Sequence, residues 1–536
     1  MVIKMFDDEK SKIKSMSLEN DLKKPAFIGI FLMIFFIGFL LRIYYLPYEI
    51  PITLDGLIYF WYANDIALFE SLPVDYSPAN NGWPIFLSIF FQMLNSENFL
   101  DFMVLQRIVT AVLSSLTIIP IYYICRKFFN QKFALIGSLL FSFEPRIIQN
   151  SILGISEPLF VLLIATSIAC LLSYKKPMNF IAFPLIAFGT LVRSEAIILI
   201  IPFSVLYIIK YRKSKHTSYE LPLLVLLFFL IILPMSDYKT NVNGTDAIFS
   251  RIPNVSDSSQ VIENNITSES SFSKKSYELQ NIISMIGWAS IPIFLFLVPF
   301  GIYTIFRHRN FKNYSIVVIL SFLAIPAIYA ISFLPDTKYL YVMYPLLCLI
   351  SVFSIKKIVN YFTKKNYVLI TIVVIILISS ITFLEIKKFD LEHEEEVYKI
   401  TKIISEKVGT INQFTTESGY LPIVGMSELE EFPISRGDFI HKESSIKYCF
   451  NIHSCERIIP VKTDNIIEFL QNAEKRGITH LIIDENQKRR AVFNEEVFKN
   501  EDKFPYLKKI YDSKENNFNY HLKIFEIDFE KLDDMK

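Results

Sequence analysis

The chain has almost no surplus of charge of either sign and little equipment for a metal or a nucleotide. Its 54 Lys and Arg residues stand against 53 Asp and Glu residues, which removes the bulk electrostatics that nucleic acid or a strongly acidic partner would exploit. No GxxxxGK[ST] loop is present to cradle nucleotide phosphates, and none of the seven His residues falls in zinc-like spacing with Cys. Tryptophan is scarce: Trp61, Trp83 and Trp288 all lie before residue 300. No internal repeat is visible. Of the five cysteines, Cys125, Cys170 and Cys348 sit in apolar runs and read as packing residues. Cys449 and Cys455, close in sequence, are either a local disulfide or two separate buried thiols.

What the chain has in abundance is apolar surface. Hydrophobic residues make up 52% of it and aromatics 15%, with a mean hydropathy of +0.37, whereas a soluble domain runs at about 45–50% apolar. Apolar runs near 25–46, 103–125, 133–143, 158–173, 179–192, 196–209, 221–236, 285–306, 315–334, 339–355 and 367–384 alternate with polar stretches. Several reach the roughly 20 residues that cross about 30 Å of hydrocarbon, where only helices satisfy their backbone groups. The expectation is a polytopic α-helical membrane protein of about 11 spans. The first run follows a charged tail and lacks a small-residue cleavage site, so it reads as a retained helix.

Charge placement orients the spans. With residues 1–24 as a cytoplasmic tail, the inner loops hold sixteen Lys and Arg residues, among them Arg126, Lys127, Lys210 and Arg307. The three short outer turns carry one each, Arg146, Arg193 and Lys338, which is the asymmetry of the positive-inside rule. This places loops 48–102 and 237–284 outside. Sequons at Asn243, Asn254 and Asn265 fall in the second of these, although a further one at Asn313 falls inside. An odd number of spans puts 386–536 outside as well. That tail combines strand-like "HLIID" and "YHLKIFEID" with helix-like "DNIIEFLQNAEKRG", the pattern of a small extracytoplasmic α/β domain. At about 150 residues it can bury its own core. The transmembrane domain is then 25–385.

This topology gathers ionisable residues at one face. Asp55 opens the first outer loop, Glu144, Arg146 and Glu157 bound the second outer turn, Arg193 and Glu195 the third, and Asp336 with Lys338 the last. Singly, Asp55-Gly56 is a good helix start, Glu157-Pro158 an ordinary helix opening, and Arg146 and Arg193 suit snorkelling to headgroups. Together, with both signs on one side, they point to a polar pocket at the outer end of the bundle. After Asp55, the run Tyr59, Phe60, Trp61 and Tyr62 reads as an amphipathic helix lying in the interface, and 80–94 as an apolar segment too short to span.

The segments "LDGLIYFWYANDI", "NGWPIFLSIFF", "SILGISEPLFVLLIA", "GTLVRSEAIILIIP" and "TKYLYVMYPLLCLI", in this order over about residues 25–355, resemble the GT-C superfamily of membrane glycosyltransferases. The likeness is to the branch of dolichyl-phosphate-mannose protein mannosyltransferases and aminoarabinose transferases. It implies a polyprenyl (dolichyl) phosphate-linked sugar as donor, an extracytoplasmic protein, glycan or lipid as acceptor, and the bilayer itself as a partner, with no nucleic acid. It implies Asp55 as the catalytic base. Protein mannosyltransferases commonly show an acidic pair there, and this chain has Asp55-Gly56. The chemistry needs a carboxylate to take the acceptor proton and cations at the leaving phosphate; Arg146, Arg193 and Lys338 are the candidate cations, and Glu157 a residue that orients a sugar hydroxyl or pairs with a base. No cofactor is firmly implied, although Asp55 and Glu157 could offer oxygen ligands to a divalent ion.

Two rivals make different demands. An oligosaccharyltransferase is expected to carry a "WWDxG"-like motif in its outward domain, and the tail has no Trp. A lipid-linked sugar flippase or other transporter places ionisable groups near the midplane, often in repeated halves.

Overall fold

The computed structural model describes residues 25–52, 54–73, 78, 80–96, 98–244, 271–307, 311–333, 336–408, 423–424, 465–474, 480–484 and 492–534. Cys449, Cys455 and the sequons at Asn254 and Asn265 lie outside the described residues. The chain divides into two compact units, residues 1–46, 69–92 and 105–386 forming the first and 47–68, 93–104 and 387–536 the second.

The first unit is a bundle of apolar helices. The eleven apolar runs are largely helical, 285–306 being divided between two helices, and among the described residues seven helices are long and apolar enough to cross a membrane. The number rises to eight if the pair Leu279–Ser290 and Phe294–Arg307, bent by 97°, counts as one broken span; Pro292 in the break cannot donate a helical hydrogen bond. The runs at 133–143, 158–173 and 179–192 fold as Gln131–Ser142, Glu157–Leu171 and Lys176–Val192, which are 12, 15 and 17 residues long. At about 1.5 Å per residue the first two fall short of the hydrocarbon thickness, and the helices do not confirm the expected count of about 11 spans.

Burial separates inner from outer helices. Leu100–Arg126 and Thr337–Tyr361 are 72% and 67% buried over their most apolar stretch, whereas Thr217–Val242 and Lys365–Lys388 are each 17% buried. Helices this apolar that leave most of their side chains outside the protein are stable only in an apolar solvent. The chain is a multi-pass membrane protein. Close packing has local causes: a Cβ on Gly301 would collide with the Ile350 carbonyl, so glycine lets Phe294–Arg307 lie directly on Tyr344–Tyr361.

Arg42, within the first helix Pro25–Tyr44, has no exposed surface. Its Nη1 donates to the carbonyls of Gly38 at 2.7 Å and Ser142 at 3.0 Å, and its Nε and Nη2 donate to Ser114 Oγ at 3.2 and 3.1 Å. One guanidinium therefore ties three helices together by hydrogen bonds that the apolar surroundings strengthen.

The second unit contains a four-stranded sheet of order β1-β2-β4-β3: β1 Ile423–Val424, β2 His480–Asp484, β3 Leu507–Asp512 and β4 Leu522–Ile527. β1 runs parallel to β2, and the other pairs are antiparallel. Alternate residues Leu481 and Ile483 join Leu470, Val497, Phe525 and Leu532 in a core of its own. The stretch 48–102 is shared out: 47–68 and 93–104 belong to this unit and 69–92 to the first. The helix expected after residue 54 forms as Leu54–Phe69, yet Phe60, Trp61, Tyr62 and Ala63 are all without exposed surface. Four successive residues cover a full helical turn, so its middle is buried all round instead of along one face.

Candidate functional site

Glu157, Arg193 and Lys338 line one cleft in the first unit. Glu157 stands in the first turn of Glu157–Leu171, where Pro158 opens the helix and the positive dipole end favours an acid. Arg193 ends Lys176–Val192 by turning to an extended backbone, φ −150° and ψ 119°, before the chain resumes as the 3₁₀ turn Ser194–Leu199. Lys338 lies in a second 3₁₀ turn, Thr337–Met343, whose start is capped by Asp336 Oδ1 accepting from the Lys338 amide at 2.9 Å. The cleft encloses ≈ 400 Å³ including its mouth; Glu157, Arg193, Glu195, Lys338 and Tyr339 form its polar side, while Leu323, Pro326 and Val342 contribute apolar wall.

The polar side is a connected set of charges. Arg193 Nη1 donates to Glu157 Oε1, and its Nη2 donates to Glu195 Oε1 at 2.8 Å. The guanidinium also lies over Phe160 at 5.8 Å and Tyr339 at 5.3 Å, within cation–π range. Lys338 pairs with Asp336 at 3.3 Å and approaches the Tyr339 ring at 5.7 Å. Glu195 and Tyr339 are the residues that sequence reasoning did not place in a binding role. Glu195 stood in the right turn, but nothing in "VRSE" says that its carboxylate shares the guanidinium with Glu157.

Arg146 belongs to the same unit but does not line this cleft. Its Nε donates to the Ile291 carbonyl at 3.3 Å, and its guanidinium lies over Trp288 and Phe383 at 5.7 and 5.0 Å. Beside it Glu144, in the turn before Pro145–Ser151, has no exposed surface and neither carboxylate oxygen hydrogen-bonded. Burial pushes its carboxyl well above the usual range, against the pull of Arg146. Asp55 lies in the second unit, in the first turn of Leu54–Phe69, with an exposed side chain.

No group of three or more His, Cys, Asp or Glu side chains suited to a metal occurs among the described residues. In the cleft the Arg193 guanidinium lies between the carboxylates of Glu157 and Glu195.

The chain resembles the GT-C membrane glycosyltransferases, in particular their protein mannosyltransferase and aminoarabinose transferase branch. Residues 84–237 match the family model described as dolichyl-phosphate-mannose-protein mannosyltransferase. Among solved structures, ArnT from Cupriavidus metallidurans in the apo state is similar with a TM-score of 0.53 at 10% identity, over 94% of this chain and 97% of that one. The apo oligosaccharyltransferase of Archaeoglobus fulgidus gives 0.52 at 10% identity, over 86% and 70%. The same enzyme tethered to an acceptor peptide containing the NVT sequon gives 0.51 at 13%, over 86% and 69%. At such identities the likeness is one of fold. No curated protein matches the chain in sequence.

Proposed function

We propose that this protein transfers a sugar from a polyprenyl phosphate carrier to an extracytoplasmic acceptor, with its N-terminus in the cytoplasm and residues 386–536 outside. The observation that carries the reading is that Glu157, Arg193 and Lys338, which belong to separate helical turns, line one cleft. The family match over 84–237 and the GT-C fold support it.

In a single inverting displacement, Asp55 takes the proton of the acceptor hydroxyl, whose oxygen attacks the anomeric carbon while the bond to phosphate breaks and polyprenyl phosphate leaves. Arg146, Glu157, Arg193 and Lys338 hold the phosphosugar. The carrier's tail stays in hydrocarbon, which explains a site at the end of a lipid-embedded bundle. An oligosaccharyltransferase reading fits less well, because the tail lacks the Trp-rich acceptor motif.

Purified full-length protein incubated with radiolabelled polyprenyl-phosphate sugars and candidate acceptors tests this. Asp55→Asn is expected to lose about 10²–10⁴-fold in rate, the usual contribution of a general base. Full transfer by that variant removes Asp55 from catalysis, and movement of lipid-linked sugar across the bilayer without transfer selects the flippase reading instead.

A further inference from the structure

The end of the bundle away from the cleft carries a charge cluster of another kind. Helices Glu157–Leu171 and Lys176–Val192 bring Glu157 and Arg193 to the cleft at one end. The junction 172–176 between them lies at the other, roughly 22 Å away for a helix of 15 residues. Side-chain contacts fasten it to the next junction, 211–217. Lys210 Nζ donates to the carbonyl of Leu171 at 2.8 Å, to that of Ser173, and to Asn179 Oδ1 at 2.6 Å. Lys176 pairs with Glu220 at 2.5 Å, and Glu220 also accepts from the Tyr207 hydroxyl at 2.9 Å. Thr217 Oγ1 donates to the Tyr211 carbonyl at 2.7 Å. The two junctions therefore form one fixed surface. They hold five Lys and Arg residues and no Asp or Glu. Lys175, Arg212, Lys213 and Lys215 are exposed, and none makes an ion pair among the described residues. Beside them the surface turns aromatic and apolar, with Tyr174, Met178, Tyr219 and Leu223 exposed. Tyr219 and Leu223 are four residues apart on Thr217–Asn243 and share a face of that helix. Tyrosines next to unpaired cations suit the headgroup level of a membrane.

We infer that junctions 172–176 and 211–217 form a binding site for an acidic phospholipid, its headgroup phosphate among Lys175, Arg212, Lys213 and Lys215 and its acyl chains along Tyr174, Tyr219 and Leu223. Four fixed cations without counter-charge repel one another, and an anion that settles among them relieves this. A free phosphate would meet the charges alone, whereas a phospholipid also covers the adjoining apolar surface. The site lies at the opposite end of the bundle from the cleft, so a lipid held there does not compete with a ligand of the cleft.

The test is native mass spectrometry of the full-length protein released from nanodiscs of equal parts phosphatidylglycerol and phosphatidylcholine, two lipids that differ in headgroup charge. Wild type is expected to retain phosphatidylglycerol in preference, and the preference to fall as salt is raised, as a screened charge contact does. Lys175→Gln, Arg212→Gln, Lys213→Gln and Lys215→Gln are each expected to lower it about twofold to fivefold, the upper figure corresponding to about 1 kcal/mol per basic residue at an anionic surface. The four together are expected to abolish it. Lys364→Gln with Lys365→Gln removes two exposed cations from a different turn and is expected to leave the preference unchanged. An equal loss per charge in that control means that a diffuse positive face attracts the lipid, and overturns the site. Retention of the preference by the fourfold variant overturns it too, as does displacement of the lipid by excess inorganic phosphate at constant ionic strength, which assigns the surface to a free anion. The salt series needs no substitution: a preference in wild type that salt does not diminish refutes the charge contact even if a variant fails to fold.

Discussion

Replacing Arg193 by Met should damage the fold more than removing the acid it pairs with. The side chains of Glu157 and Arg193 are 4% and 9% exposed, so Arg193→Met strips a buried carboxylate of its cation. Breaking a buried pair from one side costs about 3–5 kcal/mol, most of it the penalty of the charge left behind. Glu157→Gln removes the acid instead, and Arg193 keeps Glu195 at 2.8 Å together with the rings of Phe160 and Tyr339. That loss is nearer one charged hydrogen bond, about 1.5–3 kcal/mol. In the double variant the carboxylate is gone as well, and part of the penalty is relieved, with a coupling of about 0.5–3 kcal/mol expected for residues in contact. Thermal denaturation of the detergent-solubilised protein reads the effect as an order of midpoints, since a chain of two units is a poor two-state system. The expected order places Arg193→Met lowest, with the double variant above it and Glu157→Gln closest to wild type. A double variant that falls by the sum of the two single losses refutes the reasoning, because the two side chains then act independently and no buried pair organises the cleft.

Two further outcomes follow from particular contacts. An ideal Cβ on Gly82 would lie 2.7 Å from backbone atoms of Leu191 and Val192, the residues just before Arg193, so Gly82→Ala is expected to cost about 1–3 kcal/mol and to weaken donor binding; an unchanged midpoint would show that the helix Gly82–Phe91 has room to retreat. In the second unit, burial draws the Glu501 carboxyl upward, but its hydrogen bonds to Lys509 at 2.7 Å and Lys523 at 3.3 Å outweigh this and hold it below the usual carboxylate range. A depressed carboxyl contributes stability above its unfolded pKa and loses it as pH falls through the folded one. Amide exchange in β3 and β4 should therefore accelerate on acidification, and Glu501→Gln should flatten that acid dependence; an identical pH profile in the variant would dismiss the Glu501 ties as its source.

Much of this architecture is legible along the chain, because hydrophobicity is a local sum. The apolar runs became largely helical, and the strand-like "HLIID" and "YHLKIFEID" hold β2 and β4 of the small sheet. The same one-dimensional reading singled out Glu157, Arg193 and Lys338 together, since short turns between antiparallel helices must emerge at one end of a bundle. It ran out where the outcome depends on helix packing. Three apolar runs fold as helices of 12, 15 and 17 residues, the stretch 48–102 is split between units, and the middle of Leu54–Phe69 is buried all round.

The sequence by itself determined the solvent this protein lives in, the helices that solvent demands and the turns where its charged residues collect. Only the tertiary structure decided how those charges are used. Glu157 and Arg193 are 36 residues apart, and whether two such side chains meet depends on the angle and depth at which their helices pack. The same is true of Arg42, whose burial against Ser114 and Ser142 turns a charge in an apolar run into a tie between helices. Hydropathy adds up residue by residue, but ion pairing is a property of contacts, and contacts exist only once the helices have closed on one another.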